Sequence, residues 1–225
     1  WRVSLYATIT PDMPTPLKVL FIAAECAPLA KVGGLGDVVG ALPIALRALG
    51  HDARVVIPFH GSMDQNRFPA RFLADFAVPS RDGHVAATLH RAEHAGVPIY
   101  LIGGALLLGK NEVYGAGDAA KYAFFSVAAL GAALFEGWQP DVVHAHDWHS
   151  AAAIGWLHTH GRANPFFNRV ATVYTFHNLP YTGEGSGDAL YRFWLDPSPA
   201  LWLRESLRWS PMAIGLSYAH RVSTV

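Results

Sequence analysis

The stretch from Lys18 to His60 constrains the fold most, because it reads as strand, glycine turn, helix and strand in succession. Val19 to Ala23 is an unbroken apolar run, the pattern of a strand covered on both faces. Gly33, Gly34 and Gly36 follow, allowing a tight turn and close backbone approach at a sheet edge. The helical pattern starts at about Asp37, and Gly50 stands where a helix C-cap glycine belongs. Pro43 falls within that pattern, so it is expected to kink the helix or to mark its true start. A second buried strand, Ala53 to Pro58, completes a first α/β unit. Such a unit places its ligand crevice at the carboxyl ends of its strands.

The rest of the chain repeats the alternation. A hairpin is expected from Arg71 to Val78 and His84 to Glu93, with Arg81, Asp82 and Gly83 as the turn, followed by a buried strand at Val97 to Ile102. After a loop from Leu106 to Gly117 come a long helix, Ala119 to Glu136, and a strand at Asp141 to Ala145. A helix from about Ser150 to Thr159, a strand at Arg169 to Phe176, a helix at Ala200 to Tyr218 and a last strand from Arg221 follow. Strands alternating with helices predict a doubly wound, mostly parallel Rossmann-like sheet.

Composition narrows the function. Seventeen basic and seventeen acidic residues cancel, leaving no basic stripe for a nucleic acid or an anionic membrane. A chain with 52% hydrophobic and 15% charged residues is neither disordered nor a coiled coil. The single cysteine, Cys26, rules out an internal disulfide framework, fits a reducing cytosol and reads as packing rather than as a nucleophile. The best apolar run, Ala123 to Phe135, is short for a membrane span and contains Ser126. Residues 1–16 read as a leader or linker without signal-peptide character, and the chain reads as cut at both ends.

Three places carry chemistry. Lys31 precedes the glycine turn, and a cation beside unpaired backbone N–H groups at a helix start favours a phosphate or diphosphate. The segment Asp141 to Ser150 (DVVHAHDWHS) brings His144, His146, Asp147, Trp148 and His149 to a strand end. The His-x-His spacing raises a zinc site, but Asp147 arrives one residue early for the hydrolase pattern His-x-His-x-Asp-His, which puts its carboxylate on the wrong side of a metal. No metal is therefore expected. An aspartate beside an aromatic suits a sugar, whose hydroxyls need acceptors and whose C–H faces need apolar surface. Thr175 to Gly183 (TFHNLPYTG) ends the next strand in the same way.

The run KVLFIAAECAPLAKVGGLGDVVGALP, with HAHDWH and HNLPY, resembles the bacterial glycogen synthases and plant starch synthases, whose hallmark is Lys-x-Gly-Gly-Leu. The resemblance extends, with gaps, from Lys18 to Val225. It implies the N-terminal half of a two-domain GT-B glycosyltransferase (residues 17–225), with the C-terminal nucleotide-binding domain absent from this chain. It implies a cytoplasmic or plastid enzyme that moves glucose from ADP-glucose to an α-1,4-glucan with retention, without cofactor, metal, nucleic acid or membrane. By the same resemblance Lys31, Gly33, Gly34, Asn178 and Tyr114 bind the donor. Asp147 bonds the transferred glucose, and His177 lies under its anomeric carbon, making these two the catalytic candidates. Asp37, Trp148, His149 and Tyr181 then form the acceptor side and the cleft wall. The chain departs from the family pattern at Thr182, Ala213 and His220, where glutamine, lysine and aspartate are usual. Those departures keep two alternatives open: a divergent glucan-binding domain without turnover, and a GT-B enzyme that uses a UDP-sugar. With the second domain missing, this chain alone is expected to transfer little or no glucose.

Overall fold

The structure is a computed structural model, and it describes residues 15–107 and 112–225. The expectations for most of the leader, and for Gly109 and Lys110 in the loop before Tyr114, lie outside the described residues. In chain order the elements are β1 (Lys18–Ile22), α1 (Gly34–Ala48), β2 (Asp52–Pro58), β3 (Arg71–Ser80), β4 (Gly83–His94), β5 (Val97–Gly104) and α2 (Asp118–Phe135). There follow β6 (Val142–His146), α3 (Trp148–Thr159), β7 (Ala171–Phe176), α4 (Gly187–Arg192), α5 (Glu205–Arg208), α6 (Pro211–Tyr218) and β8 (Arg221–Thr224).

All eight strands form one sheet in the order β3-β4-β5-β2-β1-β6-β7-β8. From β5 to β8 every pairing is parallel, and the β3–β4 hairpin extends one edge with antiparallel pairings. The doubly wound, mostly parallel fold expected from the sequence is the one observed. The central strands are apolar on both faces because helices cover both: four of the five residues of β1 are buried, as are seven of the eight of β5.

Helix α1 starts at Gly34, three residues before the expected Asp37, and runs through Pro43 without ending there. A proline removes the hydrogen bond its N–H would give to the carbonyl four residues earlier. Here that carbonyl belongs to Val39, and the buried thiol of Cys26 donates to it at 3.6 Å. Cys26 therefore replaces the donor that Pro43 lacks. Gly40 lets the same helix sit on the turn after β1, since a Cβ there would lie 2.6 Å from the Ala27 carbonyl oxygen.

Helix α2 is long and apolar enough to cross a membrane by length and composition, unlike the shorter run recognised in the sequence. In this fold 67% of it is buried, as a core helix packed mainly on α3 and the sheet. The single helix expected at Ala200 to Tyr218 is instead α5 and α6. Pro211 cannot continue a helix from upstream, but it suits the first helical position. The Ser210 hydroxyl caps this new start by accepting from the Ala213 N–H at 3.2 Å. Helix α4 was not anticipated, because Gly183, Gly185 and Gly187 mask its beginning.

Candidate active site

The chain leaves β1 through α1 towards β2, and leaves β6 through α3 towards β7, on opposite sides of the adjacent pair β1–β6. That reversal opens a crevice at the carboxyl ends of the strands. A cavity of about 730 Å³ lies there. Its lining comes from the turn after β1 (Glu25, Val32, Gly33, Gly34), the segment before and at the start of α2 (Tyr114, Asp118), the start of α3 (Asp147, Trp148, His149) and the loop after β7 (His177, Asn178, Tyr181). A Cβ built on Gly33 or Gly34 would meet nothing within 4 Å, so the glycine turn faces open space.

Asp147 joins two strand ends. Its N–H donates to the Thr175 carbonyl at 2.8 Å, and its Oδ1 accepts from the His177 N–H at 2.7 Å. It does so at φ 57° and ψ 175°, a backbone conformation that side chains other than glycine rarely adopt. Burial raises its carboxyl pKa, and the backbone N–H groups of His177 and Asn178 pull in the opposite direction.

Trp148 and His149 sit on the first turn of α3, two residues before the helix expected from the sequence. The His149 ring packs against Trp148 (4.1 Å between centroids), Tyr122 (4.4 Å) and Tyr114 (4.8 Å). Burial lowers its pKa to about 3, so it is neutral at physiological pH. Trp148 and His149 both line the cavity.

Glu25 is a cavity-lining residue that sequence reasoning missed. It is 2% exposed. Its Oε2 accepts from the N–H groups of Val32 and Gly33 at 2.6 and 2.9 Å, and its Oε1 from the Tyr114 hydroxyl. One carboxylate therefore fixes both the glycine turn and the tyrosine to the end of β1. The signal was available, since Glu25 is the only charge between Lys18 and Lys31. Asp118 was also missed. It opens α2 and accepts from the Gly115 N–H at 2.9 Å.

Two expected residues are not among the cavity lining. Lys31 and Asp37 pair with each other at 2.7 Å on the surface, with side chains 47% and 60% exposed. The helix start at Gly34 explains this, because it puts Asp37 on an outward turn within reach of Lys31. The described lining thus holds three carboxylates (Glu25, Asp118 and Asp147) and no lysine or arginine. Nor do the histidines converge on a metal. His144 bonds Thr175, His146 bonds His177, and no group of three His, Cys, Asp or Glu among the described residues could hold an ion.

Residues 18–225 match the family described as the starch synthase catalytic domain. The chain belongs to that family. It is 40% identical over 189 residues to glycogen synthase 2 of Geobacter metallireducens, covering 81% of this chain and 39% of the relative. It is 36% identical to the glycogen synthase of Moorella thermoacetica, covering 95% of this chain and 44% of the relative. The catalytic domain of starch synthase IV from Arabidopsis thaliana, bound to ADP and acarbose, superposes with a TM-score of 0.86 at 28% identity. That match covers 94% of this chain and 45% of the Arabidopsis one. The chain spans less than half the length of these relatives.

Proposed function

We propose that this chain is the sugar-facing half of a retaining glucosyltransferase that moves glucose from ADP-glucose to the non-reducing end of an α-1,4-glucan. The observation that carries the reading is the switch-point cavity, whose described lining combines acceptor carboxylates and an aromatic wall without a cation. Neutral hydroxyls suit such a lining, whereas a diphosphate held there would face three carboxylates. Membership of the starch synthase family and the Arabidopsis relative bound to ADP and acarbose support the same reading.

Asp147 accepts from sugar hydroxyls, Trp148 and Tyr181 cover C–H faces, and His177 and Asn178 close the floor, while Glu25 holds the glycine turn and Tyr114 in place. The carboxylate of Asp147, held beside the backbone of His177, supports positive charge developing at the anomeric carbon. The residues position the two sugars and stabilise charge without a covalent intermediate on this half. The diphosphate end belongs to the rim. There Lys31 gives up its exposed pair with Asp37, worth only about 0.2–1 kcal/mol, beside the start of α1, whose terminus favours an anion. The remaining diphosphate and base contacts come from outside this chain, which therefore binds sugar but transfers little.

The test is calorimetric titration of the chain with maltotriose. Asp147→Asn keeps the acceptor for the His177 N–H and removes the charge. It should weaken binding roughly 10- to 100-fold, the worth of a hydrogen bond to a charged group of about 1.5–3 kcal/mol. Saturable binding that is unchanged in this variant, or no binding by the parent chain, refutes the reading. Glucan binding without turnover is the second reading, favoured by the absence of a cation from the described lining. Incorporation of glucose from ADP-glucose by the full-length protein, with UDP-glucose as competitor, separates it from the first.

A further inference from the structure

Nδ1 of His146 and Nε2 of His177 lie 3.0 Å apart, and Nε2 of His146 is buried without a partner. A neutral imidazole has one N–H and one lone pair, so only two arrangements satisfy the contact. If His177 donates from Nε2, His146 must carry its own proton on its buried Nε2, leaving an N–H with no acceptor. If His146 donates from Nδ1, its buried Nε2 is a bare lone pair. Buried N–H groups without a partner are the rarer of the two in proteins.

Among the described residues the surroundings supply no acceptor that would rescue the first arrangement. Phe21 stacks on His146 at 5.6 Å and the His144 ring lies 4.1 Å away. His144 Nε2 is already engaged with the Thr175 hydroxyl at 2.7 Å, which in turn contacts the Ser223 hydroxyl at 2.6 Å. Burial keeps His146 neutral, well below the usual histidine range. In His177, which lines the cavity, Nδ1 has no hydrogen-bond partner within the described protein.

We infer that His146 is a positioning residue that donates from Nδ1 to His177 Nε2, fixing His177 as the Nδ1–H tautomer and so as a donor to a hydroxyl oxygen of a sugar in the cavity. The identity of the ligand rests on the function proposed above; the tautomer does not. A fixed donor complements the rest of the site, because Glu25, Asp118 and Asp147 as carboxylates can only accept. A sugar hydroxyl donates and accepts at once, and this arrangement offers it both.

The experiment is a multiple-bond ¹⁵N–¹H correlation on the chain labelled with ¹⁵N-histidine at neutral pH, where nitrogen shifts report which ring atom carries the proton. His177 should be protonated on Nδ1 and His146 on Nδ1. His146→Phe keeps the packing on Phe21 and removes the donor. It should release His177 towards the Nε2–H form and weaken maltotriose binding roughly five- to tenfold, the loss of one neutral hydrogen bond. His146→Asn, whose amide N–H stands near the position of Nδ1–H, should restore both; a merely structural role would not predict that rescue. Protonation of wild-type His177 on Nε2, or an unchanged tautomer in His146→Phe, overturns the inference. The inferred tautomer with no response of His177 to maltotriose overturns the ligand half and the sugar reading with it, while the role of His146 stands.

Discussion

Replacing Gly183 by alanine should destabilise the protein through identifiable contact with Trp148 and Pro211. Gly183 has φ +72°, and a Cβ there would lie 2.6 Å from Cε3 of Trp148 and 2.8 Å from Cδ of Pro211. The left-handed backbone costs a residue with a Cβ about 1–2 kcal/mol. Overpacking adds about 1–3 kcal/mol when the neighbour cannot yield. Trp148 has little room to yield, since it packs edge-on against Tyr122 at 5.5 Å and against the His149 ring at 4.1 Å. Gly185 supplies the control: its φ is +86°, but a Cβ there would meet nothing within 4 Å. Gly185→Ala therefore carries the backbone cost alone, and the small gain from a stiffer unfolded chain is common to both variants. The difference between them isolates the contact, about 1–3 kcal/mol, or roughly 2–12 °C in Tm for a chain of this size. Urea melts followed by tryptophan fluorescence and by circular dichroism measure it. Because Trp148 also lines the cavity, maltotriose binding should fall in Gly183→Ala and survive in Gly185→Ala. Equal destabilisation by the two substitutions would refute the packing argument.

Acid should unfold the protein early. Burial holds His60 and His144 at about 4 and His149 at about 3, against the ordinary 6.5, and lowers His146 too. Between about pH 6.5 and pH 4 the unfolded chain binds protons that the native chain refuses, so stability is full above that window and is lost as pH falls through it. The raised carboxyl of Asp147 acts in the opposite sense, but one carboxyl does not outweigh four histidines. A urea midpoint at about pH 5 equal to that at about pH 7.5 would contradict the assignment. Burial also raises the Cys26 thiol to about 12, so iodoacetamide should leave it intact in the native chain and label it in urea. Cys26→Ala should cost roughly 1 kcal/mol by leaving the Val39 carbonyl without its donor, and Cys26→Ser should not; equal midpoints for the alanine variant and the parent would remove the thiol from that role.

The parts of the fold legible in the sequence were those set by local pattern. Apolar runs such as Val19 to Ala23 read as strands covered on both faces, and HAHDWH falls at the end of such a run. What the pattern could not carry was the direction of side chains and contacts between distant segments. Lys31 lies beside the glycine turn in sequence, yet its charge goes to Asp37 on the surface. Glu25 reads as a lone acid in an apolar run, and its role depends on Tyr114, far along the chain. Helix α1 crosses Pro43 because a thiol from another segment takes over one carbonyl, which no helix rule can anticipate. Asp147, Trp148, His149, His177, Asn178 and Tyr181 after β6 and β7 do line the cavity, because the carboxyl ends of parallel strands open on the crevice.

The three departures from the family pattern all lie outside the described lining of the cavity. Thr182 and Ala213 line a second groove of about 470 Å³ with Trp202, Leu203 and Leu207, and the Thr182 carbonyl accepts from the Met212 N–H at 3.2 Å. The two departures thus fall on one groove and place short side chains on its wall. His220 is an acceptor. Its Nδ1 takes the Thr172 N–H at 3.0 Å, and its own N–H donates to the Thr172 hydroxyl at 3.1 Å, tying β7 to the start of β8. Asp147 and His177, by contrast, line the cavity, and each also serves the fold, Asp147 by accepting from the His177 N–H and His177 by its contact with His146. The departures therefore weigh little against the transferase reading.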